Sequence, residues 1–369
     1  MDQFKKEYEV RAFRAGDEEA IVELLELVFD GWPKFDLLCT PHAHWMWKYQ
    51  NNSLRMNQIV VGVSDNRIIA CLHSFSLRIK IGNKVCSGTQ TFDLAVHSDF
   101  RRMDIFNKML DLAHKIRKRS GSQFHYYLTL NPWLRKHLSK FYHKFPHIVT
   151  RFYRIHDVGL QLRKNPMKYG FIYQYGIRLM KLANQCRNAL RPYRSSSYDF
   201  DMEKITHFDE RIKGFWEETK DCYHFIVERS RDYLNWRYCD PRGGDYLVKI
   251  AQRDAKILGY MVLRIERHQP DYPIGYIVDL LALPNRLDVA TALVEDAVSY
   301  FDGHHINMIL CMFMKNHPYE AILKRNGFIV KRERIPLFYK AYAEIKELTK
   351  REIRSPSRIH FVYGDLDVI

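Results

Sequence analysis

Apolar and polar residues alternate from Tyr8 to Phe13, as in a short strand with one buried face. Behind Asp17, an N-cap residue type, Ile21, Leu24, Leu25 and Val28 recur at the 3.6-residue period of an amphipathic helix. Two β-rich runs, 59–63 and 67–72, flank Ser64-Asp65-Asn66, a hairpin-turn composition, and residues 77–81 extend the second arm. A strand over 89–96 leads through a basic turn into a helix from Ile105 to about Lys118. In that helix Ile105, Met109, Leu112, Ala113 and Ile116 form one stripe. A strand over 124–129, a helix over 135–142 and a strand over 148–153 close the series. A strand, an antiparallel hairpin and a βα step followed by a further strand give a mixed sheet flanked by helices. The expected fold class is therefore α/β, in its α+β mixed-sheet form.

The series occurs twice. Trp47-Lys48-Tyr49 returns as Trp236-Arg237-Tyr238, 189 residues later. The hairpin pattern of 59–72 is answered by 246–261, and Asp93-Leu94-Ala95-Val96 by Asp279-Leu280-Leu281-Ala282. Met103-Asp104-Ile105-Phe106 then aligns with Leu287-Asp288-Val289-Ala290, and Asn131-Pro132 with Asn316-His317-Pro318. Matches in one order, at nearly one spacing, are the signature of a duplicated domain. The expected organisation is an N-terminal domain over 1–160, a connecting segment over 161–195 and a C-terminal domain over 196–369.

A chain of 369 residues is long enough for two such domains. With 46% hydrophobic and 27% charged residues it is neither disordered, collagen-like nor a coiled coil. Its net charge of +15 favours polyanionic or phosphate-bearing partners. Residues 161–194 supply eight Lys and Arg and no acid, interleaved with Phe171, Ile172, Tyr175, Leu179, Leu182 and Leu190. That pattern reads as a solvated connecting helix, with contact to a membrane surface or RNA as alternatives. The seven cysteines are scattered without CxxC or zinc-ligand spacing, which points to a reducing, cytoplasmic setting. The N-terminus has no signal-peptide core, and no apolar run approaches the roughly 20 residues of a transmembrane helix. His42-x-His44 and His304-His305 lack ligand companions, so no metal is expected.

Candidate chemistry is concentrated where the strand over 89–96 meets the helix at Ile105. The first amides of a helix are unpaired and, with its dipole, form an anion site, to which Arg101 and Arg102 add charge. At this turn Val96, Phe100, Arg101, Arg102 and Ile105-Phe106 resemble the strand-to-helix signature of the GNAT superfamily of acyl-CoA-dependent N-acyltransferases. Asn131-Pro132 and Phe141-Tyr142-His143-Lys144 resemble that family's late helix. The resemblance runs once through each half, so it implies two tandem GNAT-like domains. It departs at Asp104 and Asp288, which stand where glycine is usual and where a carboxylate is both a good N-cap and a repellent neighbour for phosphate.

The resemblance implies transfer of an acyl group, acetyl first of all, from acyl-CoA to the primary amine of a small molecule or peptide. It places the cofactor on Leu94, Ala95, Val96, Arg101, Arg102, Met103, Asp104, Ile105, Phe106, Asn107 and Asn131, with the Val96 amide holding the thioester carbonyl. It makes Tyr142 the acid for the leaving thiolate and Asp93 a base for the amine. Copy two offers Arg286 as its turn cation and Leu323 in the Tyr142 column, so it is expected to be a degenerate scaffold and one wall of the acceptor cleft. Trp47 and Tyr49 are a further expectation for that cleft. Two alternatives remain at this level: an aminoacyl-tRNA-dependent transferase of the Fem type, for which tRNA would be the partner, and a non-catalytic GNAT-fold binding protein.

Overall fold

The structure, a computed structural model, describes residues 7–54, 57–101, 103–129, 131–156, 198–267, 272–331, 335–345 and 355–366. The expectations for Arg102 and for the basic segment 161–194 lie outside these residues. No helix among the described residues is long and apolar enough to cross a membrane.

The first half runs β1 (Glu9–Ala12), α1 (Glu18–Phe29), α2 (Pro41–Trp45), β2 (Asn57–Ser64), β3 (Arg67–Ile81), β4 (Lys84–Val96), α3 (Ile105–Arg119), β5 (Phe124–Leu128), α4 (Pro132–Leu138) and β6 (His143–Ile155). The second runs β7 (Asp201–Ile205), α5 (Arg211–Lys220), β8 (Phe225–Val227), α6 (Arg231–Leu234), β9 (Leu247–Arg253), β10 (Lys256–Glu266) and β11 (Ile274–Ala282). It continues through α7 (Leu287–Gly303), β12 (Met308–Met314), α8 (Tyr319–Arg325), β13 (Ile329–Val330) and β14 (Ile335–Ala341). Both hairpins turn where the sequence places them. Asp65 and Asn66 have φ of 47° and 59°, Asp254 and Ala255 of 50° and 61°, the paired left-handed residues of a tight turn that matches strand twist.

Three expectations need correction. Asp17 makes no capping bond to α1; its carboxylate takes Arg11 at 2.7 Å and the Arg14 amide at 2.8 Å instead. The late helix covers Pro132–Leu138 rather than 135–142, because Asn131 caps it by accepting from the Trp133 and Leu134 amides. The last strand of the first half is also longer than 148–153, running His143–Ile155.

All the described strands join one mixed sheet of order β1-β2-β3-β4-β5-β14-β6-β12-β11-β10-β9-β7, with β8 and β13 paired off the path. The order is symmetric about its centre, β14 and β6. The halves exchange their last strands. β14 pairs antiparallel with β5, from Leu337–Leu128 to Ala341–Phe124, while β6 pairs antiparallel with β12.

The two Trp motifs meet across the same pseudo-two-fold. Trp47 and Trp236 stack with ring centres 5.0 Å apart, and each indole N–H donates to the other's backbone carbonyl, at 2.9 and 3.1 Å. Gly243 is needed beside them, since a Cβ there would stand 2.6 Å from the Trp47 ring. Trp47 and Tyr49 are buried in core clusters, so they hold the halves together and the sheet to α2 rather than line a cleft.

Candidate active site

β4 and β5 run parallel and paired only from Gly88–Phe124 to Gln90–Tyr126; beyond that point they part. The register of β4 against β3 shifts between the His73–Phe92 and Cys71–Ala95 pairs, and Asp93 adopts φ of 39°. This is a β-bulge at the mouth of the gap, a device that re-aims a strand. The His97 amide donates to Ile69 of β3 at 2.8 Å. Antiparallel alternation then turns Ala95 towards β3 and the Leu94 and Val96 amides towards the gap. Ala95 is buried, whereas Leu94 and Val96 are partly open.

Asp93 anchors the bulge. Its carboxylate accepts from Lys48 Nζ at 2.7 Å, Tyr49 Oη at 2.5 Å and Trp32 Nε1 at 2.9 Å, and its carbonyl is bonded to His73 Nδ1 at 3.0 Å. Burial pushes its pKa up, but the Lys48 ammonium and the donated bonds outweigh burial and hold it at about 2. A carboxylate this well satisfied is a weak proton acceptor, so the geometry gives Asp93 a positioning role in place of the expected base. Asp279, its counterpart, is held at about 2 by Arg229, His360 and Tyr238 against the same burial.

Past Val96 the chain makes a short 3₁₀ turn over Ser98–Phe100 and enters α3 at Ile105. Arg101 Nε donates to the Val96 carbonyl at 3.2 Å, folding the arginine back over the strand end. Asp104 occupies the N-cap position but makes no capping bond; its carboxylate accepts from Asn107 Nδ2 at 2.6 Å. The amides of the first turn of α3 are thus left without a side-chain cap, and beside them opens a cavity of about 730 Å3. Leu94, Val96, Arg101, Met103 and Asp104 line one part of it. Ile105, Phe106, Asn107 and Asn131 line the rest, together with Trp133, His137 and Val28, which the sequence reading missed. Trp133 stacks on His137 at 5.4 Å and tilts against Phe106 at 5.5 Å, an aromatic shelf legible only as a Trp-x-x-x-His spacing on α4.

Copy two closes the same turn on itself. Arg286 pairs with Asp288 at 2.8 Å and with Asp199 at 2.6 Å. The Asp288 carboxylate is held low first by its bonds from Arg286, at 2.8 and 3.0 Å. The cation that would grip a phosphate is therefore already occupied.

Tyr142 does not reach either cavity described here. It is buried in the core beneath α3, its hydroxyl bonded to His114 Nε2 at 3.2 Å, and burial raises its pKa well above the usual tyrosine value. Its amide bonds the Leu138 carbonyl at 2.9 Å, as the Phe328 amide bonds Leu323 at 3.0 Å. The counterpart of Tyr142 is therefore Phe328, not Leu323, and the column of the expected acid holds a buried leucine in both copies. The alignment read from sequence was five residues out, because it matched Tyr142, which follows α4, with Leu323, which lies within α8.

A second cavity, of about 370 Å3, lies where β4 and β5 have parted. Leu94 lines both rooms, so the bulge separates a larger chamber at the α3 terminus from a smaller one. The smaller one draws Met312, Ile335, Tyr363 and Leu366 from the second half of the chain.

Residues 9–145 match the sequence model of an acetyltransferase (GNAT) domain, and residues 212–328 that of the acetyltransferase (GNAT) family. Among solved structures the fold is similar to a probable N-acyltransferase, a conserved protein of unknown function from Enterococcus faecalis V583, with TM-score 0.61 and 13% identity. That match covers 91% of this chain and 72% of the other. It is similar to a GCN5-related N-acetyltransferase from Anabaena variabilis ATCC 29413, with TM-score 0.61, 9% identity and coverage of 91% and 73%. It also resembles N-myristoyltransferase from Saccharomyces cerevisiae with bound myristoyl-CoA and inhibitors, with TM-score 0.57, 9% identity and coverage of 92% and 81%. Identities this low make these likenesses of fold. The curated proteins contain no match to the sequence.

Proposed function

Because this chain belongs to the GNAT acyltransferases, two of whose domains it carries in tandem, we propose that it is an N-acyltransferase that moves an acyl group, acetyl in the first instance, from acyl-CoA to a primary amine. The first copy takes the cofactor and the second completes the smaller room. The observation that carries this reading is the contrast between Asp104 and Asp288. Asp104 turns aside to Asn107 and leaves the α3 amides open over a large cavity, whereas in the second copy Asp288 ties up Arg286, the turn cation. A helix terminus with open amides and a nearby Arg suits a diphosphate. In this reading the two copies exchange their last strands. A tRNA partner has no support among the described residues.

Acyl-CoA brings an activated thioester; the chain's own residues do the rest. The Val96 amide faces the gap where the thioester oxygen would gain charge, the oxyanion-hole principle in its backbone form. The bulge fixed by Asp93 orients that amide. The amine nitrogen bonds to the carbonyl carbon as the C–S bond breaks, and the thiolate ends with the proton that the amine gives up. His73, beside the bulge, is no base near neutral pH: burial lowers it to about 4.

The acceptor is therefore expected to react as its free base. Log kcat/KM should rise with slope one until the acceptor's own amine pKa, and the inflection should move when an amine of different pKa is used. An inflection fixed near pH 7 for every acceptor would reveal a protein base instead.

Binding tests the cofactor assignment directly. Calorimetry should find one acetyl-CoA per chain, and a ligand at 100 times its Kd should add about 2.7 kcal/mol to stability. Asp104→Asn should tighten acetyl-CoA roughly three- to tenfold, the scale of one like charge removed at close range, and Asp288→Asn should leave it unchanged. Two sites per chain, or a response to Asp288→Asn alone, would move the site to the other copy.

A further inference from the structure

Resting on the acyltransferase reading, the smaller cavity is where the amine meets the thioester, and the hydrogen bonds of its wall narrow the choice of acceptor. Much of that wall is apolar, with Leu94, Leu128, Met312 and Ile335. Its charges are committed: the Asp93 carboxylate is held by Lys48 at 2.7 Å, and Arg151 is engaged by a partner of its own. Thr91 Oγ1 accepts from Arg117 at 2.8 Å, and Thr129 Oγ1 from the Asn131 amide at 3.2 Å.

Gln90 differs. It stands on β4 opposite Tyr126 of β5, at the last pair before the two strands part. It is only 2% exposed, yet its side-chain amide makes no hydrogen bond to any described residue. The Tyr126 hydroxyl beside it is given to the Asp365 carbonyl at 3.2 Å. A carboxamide has two donors and an acceptor to satisfy, and a buried polar group left unmatched by the fold calls for a reason. The cavity that Gln90 lines supplies one.

A second ammonium on the acceptor, as in a polyamine or an aminoglycoside, would find no uncommitted carboxylate among the described lining residues. A carboxylate would find no uncommitted cation there. Either charge would lose its water without a partner, which is costly in apolar surroundings. An amide loses less, because two amides satisfy each other by donating one N–H and accepting one each way. Gln90 precedes Leu94 by four residues of strand, at most roughly 13 Å at the usual rise. The group it holds therefore lies at the far end of the acceptor from the reacting nitrogen. At about 370 Å3 the room is sized for a small molecule or the tip of a chain.

We infer that the acceptor is a primary amine whose far end carries an amide group on an otherwise uncharged, apolar body, and that Gln90 selects it by pairing with that amide. The body then lies against Met312 and Ile335 while the nitrogen is presented at Leu94, beside the Val96 amide. Gln90 is in this scheme a specificity-determining residue, remote from the bonds that change.

The test is calorimetric and does not depend on turnover. With the protein saturated with CoA, 6-aminohexanamide, hexylamine, 6-aminohexanoate and hexane-1,6-diamine are titrated at one pH; they share the amine and the chain and differ at the far end. The expected result is that the amide binds at least tenfold more tightly than each of the others, the usual scale when a site built to hydrogen-bond a group meets an analogue without it. N-methyl-6-aminohexanamide tells the two sources of an amide apart: equal binding assigns a peptide group, weaker binding a terminal carboxamide. Gln90→Leu should abolish the preference for the amide over hexylamine, and Gln90→Glu should turn it towards the diamine. Because the Gln90 amide bonds no described residue, Gln90→Leu is expected to melt no lower than the parent. The inference is overturned if any of the other three equals the amide, if both variants keep the preference, or if Gln90→Leu melts lower and so exposes a structural role. It is overturned equally if none of the four binds, and tighter binding of octanoyl-CoA than of acetyl-CoA would then mark the room as an acyl pocket. Those outcomes leave the acyltransferase reading in place; only a failure of CoA itself to bind removes both.

Discussion

Val96→Pro is expected to lower kcat about 10²- to 10³-fold, the effect of deleting one oxyanion donor, or about 2.7–4 kcal/mol of transition-state stabilisation. The substitution is a clean one because of where the amide points. The ladder bond at this edge of β4 comes from His97 to Ile69, and the Val96 N–H faces the opening beside β5, so proline removes no β3–β4 bond. Acetyl-CoA affinity should change only a few-fold, since the α3 terminus that grips the diphosphate is untouched, and the melting temperature should hold. Steady-state kinetics with calorimetry of the same preparation separates the cases. A fall in cofactor affinity matching the fall in rate would mean that Val96 supports the cavity wall rather than the reacting carbonyl.

Lys48→Met is expected to destabilise the protein by about 3–5 kcal/mol, the usual result of stripping one partner from a buried ion pair. Lys48 is 3% exposed and Asp93 11%, so the stranded carboxylate has little access to water. The pH dependence tests the cause. In the native protein Asp93 is held at about 2, below its unfolded value of roughly 3.9. Its contribution is therefore complete above about pH 4 and is lost as the pH falls from there towards 2. Without the ammonium, burial dominates and the folded pKa lies above the unfolded one. The variant then carries a penalty at neutral pH that is relieved on acidification, so its stability should rise between pH 7 and 5. Denaturant unfolding at several pH values would show this, and Lys48→Met with Asp93→Asn should recover much of the loss. A variant whose stability is flat from pH 7 to 5 would mean that water, not Lys48, satisfies Asp93.

What the sequence made legible was local or repeated. Hairpin turns at Asp65-Asn66 and Asp254-Ala255, the stripe of α3 and the doubled Trp motif all rest on short-range periodicity or on self-similarity, and each appears in the structure. Most of the residues expected at the cofactor turn line one cavity for the same reason, being contiguous on a strand-turn-helix. The failures are long-range. Nothing near Asp93 in sequence announces Lys48, Tyr49 and Trp32 as its partners, so a satisfied anchor reads as a free base. Tyr142 follows α4 whereas Leu323 lies within α8, a five-residue mismatch that a motif of loose spacing does not reveal. Trp133 and His137 went unremarked because an exposed aromatic on a short helix has no signature until α3 is seen beside it.

The exchanged strands also govern how the chain can fold as it leaves the ribosome. The edge of β5, made by residues 124–128, is covered by residues 337–341, and β6 has to wait for β12. More than two hundred residues must therefore be translated before the first domain can seal its own sheet. For that interval it presents a bare, adhesive margin, the situation in which nascent chains most depend on chaperones or on slow elongation.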